Sequence, residues 1–224
     1  MLRDLIPNEQ IDTARHILIK SDKETLAQAS VLYSYLLTLH KKVSWYAESI
    51  DMKFAFLPWF EKLRMKNLSS ADVVIDADVE MMDLYDFLQK KSVKINPKIA
   101  TALYAGFLKR YKNFISEDID GTVFAILSQL VTSGADHRLC VSHLSKNTPL
   151  CMIRLKATLF ERCLLKENAT VASVSIDESD LLKSGVSMEE VIEAAAELLN
   201  IVHVEKVQLI KSDEDNKIII IKDS

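Results

Sequence analysis

The chain of 224 residues contains only four glycines, where average usage of ~7% would supply about 16. They are Gly106, Gly121, Gly134 and Gly185, spaced 15, 13 and 51 residues apart. A G-x-G-x-x-G turn and a Walker loop each need several glycines within a few residues, because a backbone that cradles phosphate must turn tightly and approach its ligand closely. This spacing excludes both, and with them a Rossmann dinucleotide site and a P-loop NTPase. Cysteine is also scarce. Cys140, Cys151 and Cys163 are odd in number and 11 and 12 residues apart, which is neither a disulfide framework nor a C-x-x-C zinc spacing. They read as small hydrophobes in a reducing, cytoplasmic compartment. No uninterrupted apolar run reaches the ~20 residues of a membrane span, and MLRDLIPNEQID at the N-terminus is broken by charges and a proline, unlike a signal peptide. The expectation is no membrane.

What is present is ordinary for a globular protein: 49% apolar and 27% charged residues, with a net charge of −4. No global basic field draws the chain to nucleic acid, although a local basic patch remains compatible with this balance. Residues 8–16 read as a short helix after Pro7, HILIK (16–20) as a buried strand, and Leu26, Ala29, Leu32, Tyr33, Leu36 and Leu37 as one face of a helix capped by Ser21 or Asp22. VSWYAE (43–48) follows as a strand. This β-α-β order favours parallel strands. The spacing then predicts a short helix at 51–57 and a third strand, DVVID (72–76). Helices follow at 79–91, from Asn96-Pro97 onward, at 120–133 with Gly134 as C-cap, at 136–145 and at 149–165. After Asn168 the texture changes to alternation. TVASVSI (170–176), HVEKVQLI (203–210) and KIIIIK (217–222) read as strands, SDEDN (212–216) as a hairpin turn, and Ser187 with Glu190 as a capping box for helix 188–199.

This order of segments resembles the DHH-type phosphoesterases, nearest to the branch of nanoRNases and phosphoadenosine-phosphate phosphatases. The similarity is strongest in INPKIATALYAGFLKRYKNF (95–114), GTVFAILSQLVTSGAD (121–136), LSKNTPLCMIRLKATLFER (144–162) and ATVASVSIDESDLLKSGV (169–186). It implies an α/β fold: a parallel-sheet DHH-like domain at 1–145, a connector helix at 146–168, and a smaller, shortened α/β DHH-associated domain at 169–224.

The family's catalytic motifs are only partly present. The first, H-x-x-P-D-x-D, falls on Leu18 to Glu24. There its histidine is Leu18, its proline is Ser21, its first aspartate remains as Asp22 and its second becomes Glu24. The aspartate ending a hydrophobic strand remains as Asp76. The D-H-H motif itself is absent, the D-T-G falls on Arg110, Tyr111 and Lys112, and the G-G-G-H of the associated domain has no counterpart. The resemblance implies a site for two divalent cations, usually manganese. Such a pair needs roughly six or more protein ligands to activate a water and clamp a phosphate. Three matched carboxylates, Asp22, Glu24 and Asp76, do not hold two metals; at most they offer a weak single-ion site for manganese or magnesium. Arg110, with Lys112, then places a cation where a metal ligand belongs. The expectation is that it replaces the metal by an ion pair with Asp22 or Asp76.

Each residue also has a reading that needs no ligand. Asp22 serves as a helix N-cap, Glu24 as an acidic first-turn residue and Asp76 as a turn cap. Lys109, Arg110 and Lys112, interleaved with Tyr111, form either a phosphate-binding cluster or a salt-bridged face. The aromatic stretch FAFLPWFEKL (54–63) is either core or a partner surface through Phe56, Trp59 and Phe60. In KIIIIK, Ile219 and Ile221 are candidates for a partner or homodimer contact at an open strand. The sequence therefore points to a catalytically degenerate phosphoesterase homologue that binds or assembles. Its alternatives are a metal-dependent phosphoesterase acting on short oligonucleotides or nucleotide phosphates through an altered site, and a nucleotide sensor that does not hydrolyse.

Overall fold

A computed structural model describes residues 8–66, 70–146, 148–212 and 217–222. The chain forms two compact units, Met1–Asn147 and Thr148–Ser224. The first contains α1 (Asn8–Thr13), β1 (His16–Ser21), α2 (Leu26–Thr38), β2 (Lys42–Ala47), β3 (Leu63–Arg64), β4 (Val73–Asp76), α3 (Met81–Lys90), α4 (Pro97–Arg110), α5 (Gly121–Thr132) and α6 (His137–Val141). Its strands run parallel in the order β3-β2-β1-β4. Ile17, Ile19, Trp45 and Ile75 turn one face of that sheet into the core. Burying this apolar surface is the main driving force for the layer.

α2 is buried along almost its whole length, from Leu26 to Leu36, and so is α4 from Ile99 to Leu108. Such all-round burial marks helices packed between neighbours rather than at a surface. Gly106 makes this layer fit. A Cβ on it would lie 1.9 Å from Met81 Cε and 3.3 Å from Ala27 Cβ, so α2, α3 and α4 meet at a position without a side chain. α4 starts as the sequence suggests: Asn96 Oδ1 accepts from the backbone N–H of Lys98 and Ile99, both at 3.0 Å, with Pro97 in the first turn. Gly134 follows α5 in a left-handed conformation, φ 94°.

The second unit contains α7 (Leu150–Glu161), β5 (Leu164–Lys166), β6 (Val171–Ile176), α8 (Glu178–Ser184), α9 (Met188–Ala196), β7 (Lys206–Lys211) and β8 (Lys217–Lys222). Its sheet has the order β5-β6-β7-β8, with β6 and β7 parallel and both edge strands antiparallel to their neighbours. Ala172, Val174, Val207 and Leu209 pack with Leu155 and Leu159 of α7 and with Val191 and Ala195 of α9. The Ser187–Glu190 capping box is present.

The structure corrects several local expectations. The helix predicted at 51–57 is a pair of 3-10 turns, Met52–Phe54 and Phe60–Lys62, leading into the two-residue strand β3. Helix 149–165 ends at Glu161, and Leu164–Lys166 instead pairs with β6. The segment 136–145 is a short α-helix that loosens into a π turn at Ser142–Lys146. Residues 213–216, the core of the expected SDEDN turn, lie outside the described residues, as do Asp223 and the first seven residues.

Candidate functional site

Parallel sheets bind ligands beyond the carboxyl ends of their strands. Lys20 pairs across β1 with Tyr46 on one side and Asp76 on the other. Asp22, Glu48 and Asp76 therefore leave three adjacent strands at the same edge. Asp22 does not cap α2 directly, since that helix starts four residues later, after Thr25. Its Oδ1 accepts from the Glu24 N–H at 2.9 Å, the Thr25 N–H at 3.0 Å and the Thr25 hydroxyl at 2.8 Å. This closes a tight turn, a use of aspartate that competes with metal ligation. Burial raises the Asp22 carboxyl, but the Thr25 hydroxyl, the two N–H donors and the charge of Lys109 outweigh it and hold the group below the usual carboxylate range. Asp76 is exposed and accepts from the Asp78 N–H at 3.1 Å. Lys20 pairs with Glu48 at 2.9 Å. The hydrogen bond and charge of Glu48 raise the Lys20 ammonium above its ordinary value, and Asp76 adds to this.

The cation that meets the Asp22–Thr25 turn is Lys109. Its Nζ lies 2.7 Å from Glu24 Oε2 and donates to the carbonyl oxygens of Glu24 at 2.9 Å and Lys23 at 3.3 Å. It also stands 5.2 Å from the centre of the Phe54 ring. One ammonium thus binds both the side chain and the backbone of the turn after β1.

Arg110 does not make the expected pair with Asp22 or Asp76. One residue further along a helix is a rotation of about 100°, and its guanidinium meets Asp118 Oδ2 at 3.0 Å and Glu80 Oε2 at 3.8 Å. The Ser116 hydroxyl, at 2.5 Å, and Arg110 hold Asp118 below the usual carboxylate range. Asp118 and Glu80 were not legible as partners, because only the fold of the 111–120 loop brings Asp118 back to α4. Lys112 is exposed and opens a run of three left-handed residues, φ 46°, 60° and 67° at Lys112, Asn113 and Phe114. It stands where the resemblance places the glycine of D-T-G, and its backbone keeps a conformation that favours glycine.

Among the described residues no group of three or more His, Cys, Asp or Glu side chains is placed to hold a metal ion. Asp22, Glu24 and Asp76 share an edge but do not converge as one ligand set. The donors present do not fit a two-cation centre.

The remaining candidates lie elsewhere. Phe56, Trp59 and Phe60 are half-buried against the first core. Trp59 Nε1 donates to Ser34 Oγ at 3.0 Å, Lys98 Nζ lies 3.7 Å above its ring, and Phe60 meets Trp45 edge-on at 6.4 Å. Phe56 stacks on His143 with ring centres 4.9 Å apart. These aromatics are engaged in packing within the first unit. On β8, Ile219 and Ile221 turn toward the second core, whereas Ile218 and Ile220 are about half exposed. Four consecutive isoleucines hide a two-residue alternation that register alone reveals. Among the described residues no helix is long and apolar enough to cross a membrane.

No family model matches this sequence, and no curated protein does. Solved structures do. An exopolyphosphatase-related protein from Bacteroides fragilis superposes with a TM-score of 0.79 at 12% identity, covering 97% of this chain and 82% of that one. A putative family II inorganic pyrophosphatase from Methanococcus jannaschii aligns over 93% of this chain and 88% of its own at 11% identity, with a TM-score of 0.35. The first similarity shows the fold: a mixed α/β architecture with a parallel four-stranded sheet and a second, smaller α/β unit.

Proposed function

We propose that this chain is a catalytically degenerate relative of the DHH phosphoesterases, working in the cytoplasm by binding or assembly rather than by hydrolysis. The observation that carries this reading is Lys109, whose ammonium is held against the turn where the resemblance places the first metal-binding motif. A divalent cation about 4 Å from that ammonium would be repelled by about 8 kcal/mol at an effective dielectric of 20, twice the figure for unit charges. The carboxylates that remain are already engaged: Asp22 closes a turn, Glu24 pairs with Lys109, and Arg110 sits where a ligand aspartate is expected. An assembly role draws on β8, whose Ile218 and Ile220 leave apolar surface at a sheet edge. Three unpaired thiols agree with a reducing compartment.

The test is hydrolysis of bis(p-nitrophenyl) phosphate and of a dinucleotide with added manganese. The expected result is no turnover above buffer. Turnover that disappears in Asp76→Ala would establish the chain as a working phosphoesterase and overturn the reading.

A further inference from the structure

A second feature of the first unit lies on the other face of its sheet. Strand pairing places His16, Leu18, Ser44, Tyr46 and Arg64 on one face, opposite the face that carries Ile17, Ile19 and Trp45 into the helical layer. Parallel sheets are ordinarily covered on both faces. Here a recess of about 660 Å³ lies against that face and extends around the β2 edge to Val43 and Lys62. Among the described residues β3 pairs only with Trp45 and Tyr46, and no strand there pairs with the outer side of the first half of β2. The volume is within the range of about 300–1,000 Å³ typical of small-molecule sites.

The lining has two parts. Its floor is Leu18, which is 4% exposed, beside half-buried Tyr46, with Val43 around the β2 edge. Its rim carries Lys42, Lys62, Arg64 and Lys66, and no carboxylate is among the described lining residues. Lys62 at the end of a 3-10 turn, Arg64 of β3 and Lys66 just after it all line the recess, around buried Leu63. Among the described residues no carboxylate pairs with Lys42, Lys62 or Lys66. Arg64 is steadied by donating to the carbonyl oxygens of Glu61 and Leu63 at 3.0 and 2.9 Å. At the far end the His16 ring shares a hydrogen bond with the Ser44 hydroxyl at 2.8 Å. Four cations on one rim stand out in a chain whose net charge is −4.

We infer that this recess binds a small phosphorylated molecule carrying a planar ring. Its anion sits on the Lys42, Lys62, Arg64 and Lys66 rim and its ring lies on the Leu18–Tyr46 floor. A basic rim without internal counter-charges recognises phosphate, and a flat apolar strand surface with a tyrosine recognises a ring. The site is distinct from the edge occupied by Lys109 and needs no metal.

Calorimetry on the full chain tests this with three probes: AMP, adenosine and inorganic phosphate. AMP is expected to bind more tightly than either part alone. Lys42→Glu and Lys66→Glu, both at exposed positions, are expected to weaken AMP by about tenfold each, with unchanged unfolding midpoints. Lys109→Ala is expected to leave AMP affinity as it is, which separates this site from the motif edge. No AMP binding, phosphate binding as tightly as AMP, or affinity indifferent to both charge reversals would overturn the assignment.

Discussion

Lys109 Nζ lies 2.7 Å from the Glu24 carboxylate and 2.9 Å from the carbonyl oxygen of the same residue. One lysine from the last turn of α4 therefore holds both the side chain and the backbone of the turn after β1. The turn is closed from within by Asp22 and held from outside by this ammonium.

Removing that ammonium has a local and a global consequence. Lys109→Ala is expected to destabilise the protein by about 1–2 kcal/mol, mostly through the two carbonyl bonds, since Glu24 is largely exposed and its ion pair is screened. Urea unfolding measures this. Carboxyl NMR titration of the same variant should show the Asp22 pKa rising toward its ordinary value, because the charge of Lys109 is one of the effects that depress it.

Asp22 also sets a pH dependence. A carboxyl depressed in the folded state contributes stability that is fully present above its unfolded value, 3.8, and is lost as pH falls through the lower folded value. Thermal midpoints are thus expected to be insensitive to Asp22 near neutrality and to fall on acidification below about pH 4. The fall should be shallower in Asp22→Asn, which keeps an acceptor but does not titrate.

Gly106 is expected to tolerate no side chain at its present packing. Gly106→Ala drives a Cβ into Met81 Cε at 1.9 Å and Sδ at 2.9 Å, an overpacking that costs about 1–3 kcal/mol. Met81 is flexible at that end, so the double variant Gly106→Ala, Met81→Val should recover part of the loss. Additive losses in denaturant unfolding would show that the two do not meet.

The thiols should react unequally. Burial, followed by the charge of Asp136, pushes Cys140 up to about 12, whereas Cys151 and Cys163 are only partly buried. Alkylation at pH 8 in the native state should spare Cys140 and modify it only after unfolding, as peptide mass mapping would record.

Much of the fold was legible where local chemistry decides it. Asn96 and the Ser187–Glu190 pair start helices because their side chains accept from the first free N–H groups, and Pro97 has none to satisfy. The runs HILIK and DVVID are strands because their alternate residues bury against helices. What escaped depends on tertiary placement. β3 is two residues long and exists through its pairing with Trp45 and Tyr46. The partner of Arg110 depends on a loop that returns Asp118 to α4, and the inward pair Ile219 and Ile221 on the register of β8 with β7. The ammonium that meets the turn after β1 belongs to Lys109, the neighbour of Arg110, a difference of one step around a helix that no motif comparison resolves.

The central proposal, that a fixed ammonium stands where the resemblance implies metal ions, is tested most directly by calorimetric titration with manganese. The account predicts no binding tighter than millimolar in the natural chain. Binding tighter than millimolar that is lost in Asp76→Ala would contradict it.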